Sequence, residues 1–360
     1  MYYLNKTIDG EGQLPSPFSR KGSPMKIRIP NYYQSFHCIA SACPDSCCKE
    51  WEVDVDHSAA AFYRSLEGPL GDRLRQVLKD TDGGTVMAIE DGRCPMWRQD
   101  GLCRIQAELG HDALCQVCRD FPRLHHDYGN FVEYGLELSC PEAARLILTG
   151  SHEWAEEDIP GDVIPDYDEE TMAFLLESRK TALDFLDSTS LPPNLALAVL
   201  LIYSHEAQSW LDGGESVELN VDDCLNTAKK YAASGNWELL LDFFRKLEIL
   251  TQQWHSRLSD PCSEKQWHPG FLTLTKYFIS RYWLQAVSDY DLIGRVKMLI
   301  SAGLLIYYLG GNFLETAQLF SKEIENDPDN LEAILDGAYT APALTDAHLL
   351  GLLLENSGEK

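Results

Sequence analysis

The sequence contains no apolar run as long as the roughly 18 residues that a membrane-spanning helix requires. Its longest apolar stretches, Leu195–Tyr203 and Leu299–Leu309, are short enough to be buried helices. The chain has 360 residues, of which 44% are hydrophobic and 24% are charged, as in soluble globular proteins. We therefore expect a soluble, cytoplasmic protein with one large or two ordinary domains.

Positive charge is scarce, because 30 Lys and Arg residues stand against 56 Asp and Glu residues and give a net charge of −26. Residues 25–150 have 13 basic and 19 acidic residues, whereas residues 151–360 have 14 and 35. Such a field repels phosphate backbones and anionic lipids, so we expect neither nucleic acid nor a membrane as partner. It would attract a lysine-rich protein surface; the alternative is that the acidity serves solubility alone.

The glycine motif of the doubly wound cofactor-binding fold is also missing. No predicted strand leads through a Gly-x-Gly-x-Gly turn into a helix with an acidic residue beyond it. Gly310-Gly311 does follow an apolar run, but a helix cap explains this pair better.

Cysteine, in contrast, is abundant and unevenly placed. The chain has 11 cysteines, and Cys224 and Cys262 lie alone in the C-terminal half. The others crowd into one stretch: Cys38, Cys43, Cys47, Cys48, Cys94, Cys103, Cys115, Cys118 and Cys140. A few scattered thiols would need no explanation, since cysteine packs as a small hydrophobic residue. This crowding indicates disulfides, zinc or an iron–sulfur cluster.

Disulfides fit poorly. The N-terminus lacks the apolar segment of a signal peptide, the number of cysteines is odd, and a chain of this length can bury a core without cross-links. Thiolates are soft ligands that suit zinc and iron–sulfur clusters. Only Cys115 and Cys118 have the short C-x2-C spacing typical of zinc sites. The irregular spacing of the others favours an iron–sulfur cluster, with zinc as the alternative.

Four segments follow from the pattern of residues. We interpret residues 1–24 as a disordered lead-in, with Met25 as an alternative start, and residues 25–150 as a cysteine-rich cluster-binding domain with short regular elements. These elements are a strand at Trp51–Asp56, helices at Ser58–Leu66 and Gly71–Lys79, and a helix that begins at Pro141. Residues 151–170 are acidic, contain Pro and Gly, and are predicted to form a linker.

Residues 171–360 are predicted to form an all-α helical bundle, because their apolar residues recur at steps of three and four. After a first helix that starts near Thr171, we predict helices at 193–211, 222–233, 236–255, 270–288, 291–309, 312–326 and 343–354. The predicted fold class is therefore mainly α, with an irregular cysteine-rich metal-binding or cluster-binding N-terminal domain.

Several motifs of the cysteine-rich part resemble one known family. They are Pro30-Asn-Tyr-Tyr-Gln-Ser-Phe-His-Cys38, Cys43-Pro-Asp-Ser-Cys-Cys-Lys-Glu-Trp51, Cys94-Pro-Met-Trp97, Asp100-Gly-Leu-Cys-Arg-Ile-Gln106, Cys118-Arg-Asp-Phe-Pro-Arg123 and Leu136-Glu-Leu-Ser-Cys-Pro-Glu-Ala-Ala-Arg145. This set resembles the flagellin lysine-N-methylase (FliB) family, and Ser321-Lys-Glu-Ile-Glu325 resembles a weaker motif near its C-terminus. Parts of the pattern also resemble small cysteine-cluster proteins thought to chelate zinc or iron.

The resemblance implies an enzyme that transfers methyl groups from S-adenosylmethionine to lysines of flagellin and carries a 4Fe–4S cluster. The cysteines at matching positions are Cys38, Cys43, Cys47, Cys48, Cys94, Cys103, Cys118 and Cys140. Cys115 departs from the family pattern, so we leave it out of the predicted metal ligands. The C-x3-C-x2-C triad of radical S-adenosylmethionine enzymes is absent, and no segment is identified as the methyl-donor pocket.

Lysine attacks a methylsulfonium only as the neutral amine, so the site needs a base or a desolvating pocket. The candidate catalytic residues are Tyr134, Asp54, Arg119 and Arg123. Further residues near the cysteines are Tyr32, Tyr33, Trp51, Asp56, His125 and His126, for which packing or a solvated surface is the alternative explanation. The two arginines could bind a carboxylate of the cofactor, shield a cluster or pair with local acids.

Overall fold

Two small sheets and several short helices precede a long helical segment. The computed structural model describes residues 23–163, 165–215 and 218–355. Most of the predicted disordered lead-in therefore lies outside the described residues, but Ser23 and Pro24 belong to the first strand. The fold is mainly helical, as predicted, whereas most of the strands were not predicted.

The larger sheet has four strands in the order β5-β6-β1-β7. They are β1 (Ser23–Pro30), β5 (Arg123–Asp127), β6 (Phe131–Leu136) and β7 (Trp154–Val163). β1 runs parallel to β6 and antiparallel to β7. The alternation of apolar and basic residues from Met25 to Ile29 is typical of a strand.

The prediction of a linker at residues 151–170 is corrected by β7, which pairs along β1 from Trp154 to Val163. The acidic residues that suggested a linker have basic partners on that neighbouring strand. The carboxylate of Glu156 forms ion pairs with Nζ of Lys26 at 3.4 Å and with Nε of Arg28 at 2.9 Å. Charge complementarity across the two strands therefore explains why this polar segment is ordered.

The smaller sheet has the order β2-β4-β3. Its strands are β2 (Val53–Val55), β3 (Leu78–Thr81) and β4 (Gly84–Met87). The predicted strand and both predicted helices are present, as β2, α2 (His57–Ser65) and α3 (Gly68–Val77). α3 ends earlier than predicted because Leu78 already pairs with Met87 in the sheet.

Four short helices complete this part of the chain. They are α1 (Asn31–Gln34), α4 (Arg104–Leu109), α5 (Gln116–Asp120) and α6 (Pro141–Thr149). The start of α6 at Pro141 confirms that prediction. The small sheet, α2, α3 and several cysteines share an apolar cluster of their own, separate from the main core.

Beyond residue 170 the described residues form helices and no strand, as the apolar periodicity predicted. The helices are α7 (Glu169–Ser188), α8 (Pro193–Leu211), α9 (Val221–Tyr231), α10 (Trp237–Phe244), α11 (Gln252–Ser259), α12 (Gly270–Tyr282), α13 (Leu292–Leu309), α14 (Phe313–Phe320), α15 (Pro328–Thr340) and α16 (Asp346–Leu354). Gly310 caps α13 with a φ of 63°, a conformation that glycine adopts readily.

Two helix predictions were wrong. The single helix predicted at 236–255 is divided into α10 and α11, because the backbone N–H groups of Glu248 and Leu250 bond to the side chains of Asn330 and Glu323 instead of continuing a helix. Asp327-Pro328 was interpreted only as a break. It starts α15, where Asp327 caps the backbone N–H groups of Asp329 and Asn330.

α13 is the one helix in the described ranges that is long and apolar enough to cross a membrane. Of its residues, 89% are buried inside the protein, as in the central helix of a globular core. α14 runs on into a π-helical turn at Ser321–Glu325. This turn buries Lys322, Glu323 and Glu325, and such turns frequently occur at functional sites.

Candidate functional site

The two groups of cysteines meet at the backbone. Cys94 donates its N–H to the carbonyl of Cys48 at 2.8 Å, which joins the first group to the second. A bridge between Trp97 and Cys103 then folds the following loop back on itself. This backbone hydrogen bond places Cys48 and Cys94 next to each other, although 46 residues of sequence separate them.

Hydrogen bonds between thiols continue this contact. Cys47 donates to Cys48, which raises the pKa of Cys47, and Cys48 donates to Cys94. The bond with Cys48 lowers the pKa of Cys94, whose own thiol donates to Sδ of Met87 at 3.3 Å. Although the bond from Cys47 acts to lower the pKa of Cys48, the bond to Cys94 and burial raise it to about 12.

Three further cysteines lie at the starts of helices. Cys103, Cys115 and Cys140 are the N-cap residues of α4, α5 and α6. Burial raises the pKa of Cys140 to about 12, and the nearby thiols of Cys43 and Cys47 contribute to the shift. Burial raises the pKa of Cys43, and the nearby thiol of Cys38 contributes to this shift. Several of the predicted ligands therefore lie near enough to one another to affect each other's ionisation.

Cys115, which was left out of the predicted ligands, lies beside the predicted ligand Cys118. Cys118 donates a hydrogen bond to Cys115, which lowers the pKa of Cys115 and raises that of Cys118. Cys118 is also influenced by Cys48 and Cys47. The C-x2-C spacing in the sequence is the signal for this pair.

The donor set fits a thiolate-bound metal in its chemistry. Sulfur is the shared donor atom, and soft thiolates suit both zinc and iron–sulfur clusters. In residues 23–163, 165–215 and 218–355, no group of three or more His, Cys, Asp or Glu side chains is arranged around one point as a preformed metal site. The chemistry of the thiols suits zinc and iron–sulfur clusters alike, and ligation of a metal by these cysteines stays a prediction.

Two of the candidate catalytic residues lie beside Tyr33. Tyr134 packs edge-on against it, with ring centroids 5.5 Å apart. Burial raises the pKa of Tyr33, and the charge of nearby Arg123 acts to lower it; Arg123 also lies 5.1 Å from the ring centre of Phe36. Arg119 is exposed, 4.0 Å from Asp120. Asp54 is exposed on β2 between two buried valines.

Asp56 has a structural role. It caps α2 by accepting the N–H of Ala59 at 3.0 Å, and it accepts the N–H of Gln116 at 2.9 Å. Burial opposes its ionisation, but bonds from Ser58, Gln116 and Ala59 lower the pKa of Asp56 to about 2. It thereby fixes the start of α5, directly after Cys115.

A buried lysine from the helical segment reaches the first cysteine loop, which the sequence did not predict. Lys322 is 2% exposed and lies 2.8 Å from a carboxylate oxygen of Asp45 and 3.0 Å from one of Glu50. Its Nζ also lies 5.2 Å from the ring centre of Trp51. Burial disfavours the ammonium, but the two carboxylates outweigh that effect and raise the pKa of Lys322. We call Lys322, Asp45 and Glu50 the lysine clamp.

A second buried polar network joins the larger sheet to the helices. Arg179 on α7 donates two hydrogen bonds to Glu133 on β6, at 2.7 and 2.5 Å. On α12 and the π-helical turn, Glu325 accepts bonds from Tyr277 at 3.1 Å and from Tyr282 at 2.8 Å, and lies 3.3 Å from Arg281. The charges of this network are thus paired inside the protein.

A pocket opens between these networks and one face of the sheet. Its lining includes Tyr32, His126, Glu133, Trp154, Tyr277 and Arg281. The centre of a water-sized group can occupy about 20 Å³ of this pocket, and the total empty space, open solvent included, is about 320 Å³. Tyr277 also accepts the backbone N–H of Leu138 at 3.3 Å, two residues before Cys140. The pocket and the cysteines therefore share the β6–α6 connection.

Comparisons with known proteins place the chain in a family. No family model matches it, and no solved structure matches it. It is 36% identical over 129 residues to the flagellar biosynthetic protein FliU of Salmonella muenchen, a match that covers 34% of this chain and 76% of FliU. It is likewise 36% identical to proteins named lysine-N-methylase from Salmonella typhimurium and Salmonella choleraesuis. These matches span 32% of the length of each lysine-N-methylase. The chain belongs to the flagellin lysine-N-methylase (FliB) family.

Proposed function

We propose that this chain is a protein-lysine N-methyltransferase that transfers methyl groups from S-adenosylmethionine to flagellin, and that its N-terminal cysteines hold a 4Fe–4S cluster. The observation that carries the proposal is the 36% identity to proteins named lysine-N-methylase, in a chain that has nine cysteines between Cys38 and Cys140. When bound, a cluster would cross-link the loops that carry these cysteines. The proposed compartment is the cytoplasm.

The charge of the chain supports a basic protein substrate. The net charge is −26, and most of the excess lies in residues 151–360. A field of this sign raises the encounter rate with a lysine-bearing surface and lowers it for nucleic acid or an anionic membrane. The negative charge therefore supports a lysine-bearing protein such as flagellin as the partner. It does not identify which lysines are modified.

The test is transfer of labelled methyl groups from S-adenosylmethionine to flagellin by protein purified without oxygen. We expect label on lysine side chains of flagellin. A flagellin variant without surface lysines is the matched substrate control. Absence of labelling by protein that contains its metal would reject the proposed activity.

The alternative is a non-catalytic protein that chelates zinc or iron through its cysteines. Packing of Cys94 and Cys115 in the smaller apolar cluster favours a stabilising role of this kind. The two functions differ in a simple property, since iron–sulfur proteins are brown and absorb visible light whereas zinc proteins are colourless. Colourless protein with stoichiometric zinc would support the alternative.

We predict that Cys118→Ser lowers the metal content, because Cys118 links the C-x2-C pair to the Cys47–Cys48–Cys94 chain of thiols. Metal and sulfide analysis of the purified variant is the measurement. Cys224→Ser is the matched control, since Cys224 is also buried but lies in the main core. Full metal content in the Cys118 variant would remove Cys118 from the ligand set.

A further inference from the structure

The two faces of the β5–β6 hairpin have different surroundings. His126 lies opposite Glu133, and His125 lies opposite Tyr134, in the antiparallel register. Because side chains alternate along a strand, His126 and Glu133 share one face while His125 and Tyr134 share the other. Glu133 on the first face binds Arg179, and the ring of Tyr134 on the second packs against Tyr33; His126, Glu133 and Tyr134 all contribute to the pocket lining, and His125 does not.

His126 carries an unused buried acceptor at this pocket. It lines the pocket, and its Nε2 atom is buried with no hydrogen-bond partner among the described residues. Burial lowers the pKa of His126 to about 4, and the cationic Arg281 contributes to the shift. The imidazole is therefore neutral at pH 7, and Nε2 is an acceptor in the tautomer with the proton on Nδ1.

The pocket offers no free carboxylate to an ammonium group. Glu133 already binds Arg179 through two hydrogen bonds and lies 3.4 Å from Arg28. Glu325, which lies behind Tyr277, is committed to two tyrosine hydroxyls and Arg281. A charged lysine entering the pocket would meet Arg281 in the lining without an unpaired anion, so the uncharged amine is favoured.

The dimensions of the pocket match the end of a lysine side chain. Its space of about 20 Å³ for the centre of a water-sized group is enough for one water or one amine. The rings of Tyr32, Trp154 and Tyr277 contribute to the lining and would contact the methylene groups of the stem. A trimethylated lysine head is larger than an amine and has no N–H to donate to His126.

We propose that this pocket binds the substrate lysine as the neutral amine, with Nε2 of His126 accepting a hydrogen bond from its Nζ; the assignment of the ligand as substrate depends on the function proposed above. The proton of the ammonium is released to solvent when the side chain enters. The amine lone pair then forms the N–C bond to the methyl group of the sulfonium. The C–S bond breaks, its electron pair stays on sulfur, and the donor leaves as a neutral thioether. The methylammonium product loses its extra proton to solvent.

The first experiment measures binding of the probe Nα-acetyl-lysine amide to the full-length protein by calorimetry, without methyl donor or flagellin. Affinity should rise about tenfold per pH unit between pH 7 and 9, since the neutral fraction of an amine with a pKa near 10.4 grows by that factor. The charged and titratable groups around His126 are Arg281, Arg179, Glu133 and His125. Affinity that is flat over this range, or equal affinity for the trimethyl-lysine probe, would overturn the proposal.

Substitutions then test His126 itself. His126→Phe should weaken binding of the lysine probe about tenfold, because a buried acceptor is lost. His126→Gln should restore part of the affinity through its amide oxygen. His125→Gln, on the opposite face of the same strand, is the matched control and should leave affinity unchanged. Equal affinity of wild type and a folded His126→Phe variant would reject the role of Nε2. If that variant does not fold, the pH profile of wild type decides alone.

The two proposals fail separately. Probe binding that follows the predicted pH profile, in protein that transfers no methyl groups, would reject the methyltransferase function and leave the amine pocket standing. Methyl transfer to flagellin by protein whose probe affinity is independent of pH would keep the function and reject this pocket.

Discussion

Replacing Asp45 by Asn and Glu50 by Gln together is expected to destabilise the protein by about 3–5 kcal/mol, the range for a buried charge that loses its partners. Lys322 is 2% exposed, and these two carboxylates are its ion-pair partners within 4 Å among the described residues. The double variant would leave its ammonium inside the protein without an anion. Urea unfolding followed by circular dichroism measures the change in free energy.

A triple variant separates the loss of charge pairing from the loss of shape. Adding Lys322→Met to the two amides removes the buried charge and keeps an unbranched apolar stem in its place. Well-packed apolar replacements of buried ion pairs are often neutral or stabilising, so the triple variant should regain most of the lost stability. If it is as unstable as the double variant, the pairing of Lys322 is not the source of the effect.

The lysine clamp also connects the helical segment to the first cysteine loop. Asp45 lies between Cys43 and Cys47, whereas Lys322 lies on the π-helical turn, so the contact spans 277 residues of sequence. Gln318, one helical turn earlier, donates to the carbonyl of Ser139 at 2.7 Å, next to Cys140. Two cysteine-bearing segments are thus held by α14 and the turn that follows it, and release of the clamp should lower the metal content as well as the stability.

The helical half was predictable because its signals are local. Pro192-Pro193 begins α8, Gly310 ends α13, and the apolar spacing between such markers reports a helix without knowledge of its neighbours. The prediction failed where a distant side chain decided the local structure. Asn330 and Glu323 bind the backbone between α10 and α11, and no residue within that segment reveals them.

The larger sheet was missed for a related reason. β1 pairs with β6 and β7, and these partners lie more than a hundred residues away. The alternation of apolar and basic residues from Met25 to Ile29 was a usable strand signal. The acidic residues of β7 can be recognised as part of a strand only once their pairing with Lys26 and Arg28 is known. The strand propensity of a segment gives no information about which distant segment it pairs with.

The sequence showed the cysteine-rich stretch but not the buried side chains around it. Nine cysteines in one stretch stand out because cysteine is a rare residue, and their role as metal ligands stays a prediction. Lys322 and His126 belong to common residue types, and their importance comes from burial and from partners far away in sequence. The histidine pair His125-His126 was noted, but only the register of β5 distinguishes the exposed member from the one that lines the pocket.

His126 is expected to make the protein lose about 3 kcal/mol of stability as the pH falls from 6.5 to about 4. Its pKa is about 4 in the folded protein against 6.5 for an ordinary histidine. Over this interval the unfolded chain takes up a proton that the folded protein does not, so the free energy of unfolding falls with pH. Above pH 6.5 both states are neutral, and below about pH 4 both are charged, so the contribution is constant outside the window.

The measurement is the free energy of unfolding in urea from pH 4 to 7.5 for wild type, His126→Gln and His125→Gln. Because carboxylates titrate in the same window, the informative quantity is the difference between wild type and each variant. That difference should change by about 3 kcal/mol for His126→Gln, in the direction that favours the variant at low pH. Parallel curves for wild type and His126→Gln would mean that His126 takes up its proton as easily in the folded protein as in the unfolded chain. Burial beside Arg281 and Arg179 predicts the opposite, since both cations repel an imidazolium at this position.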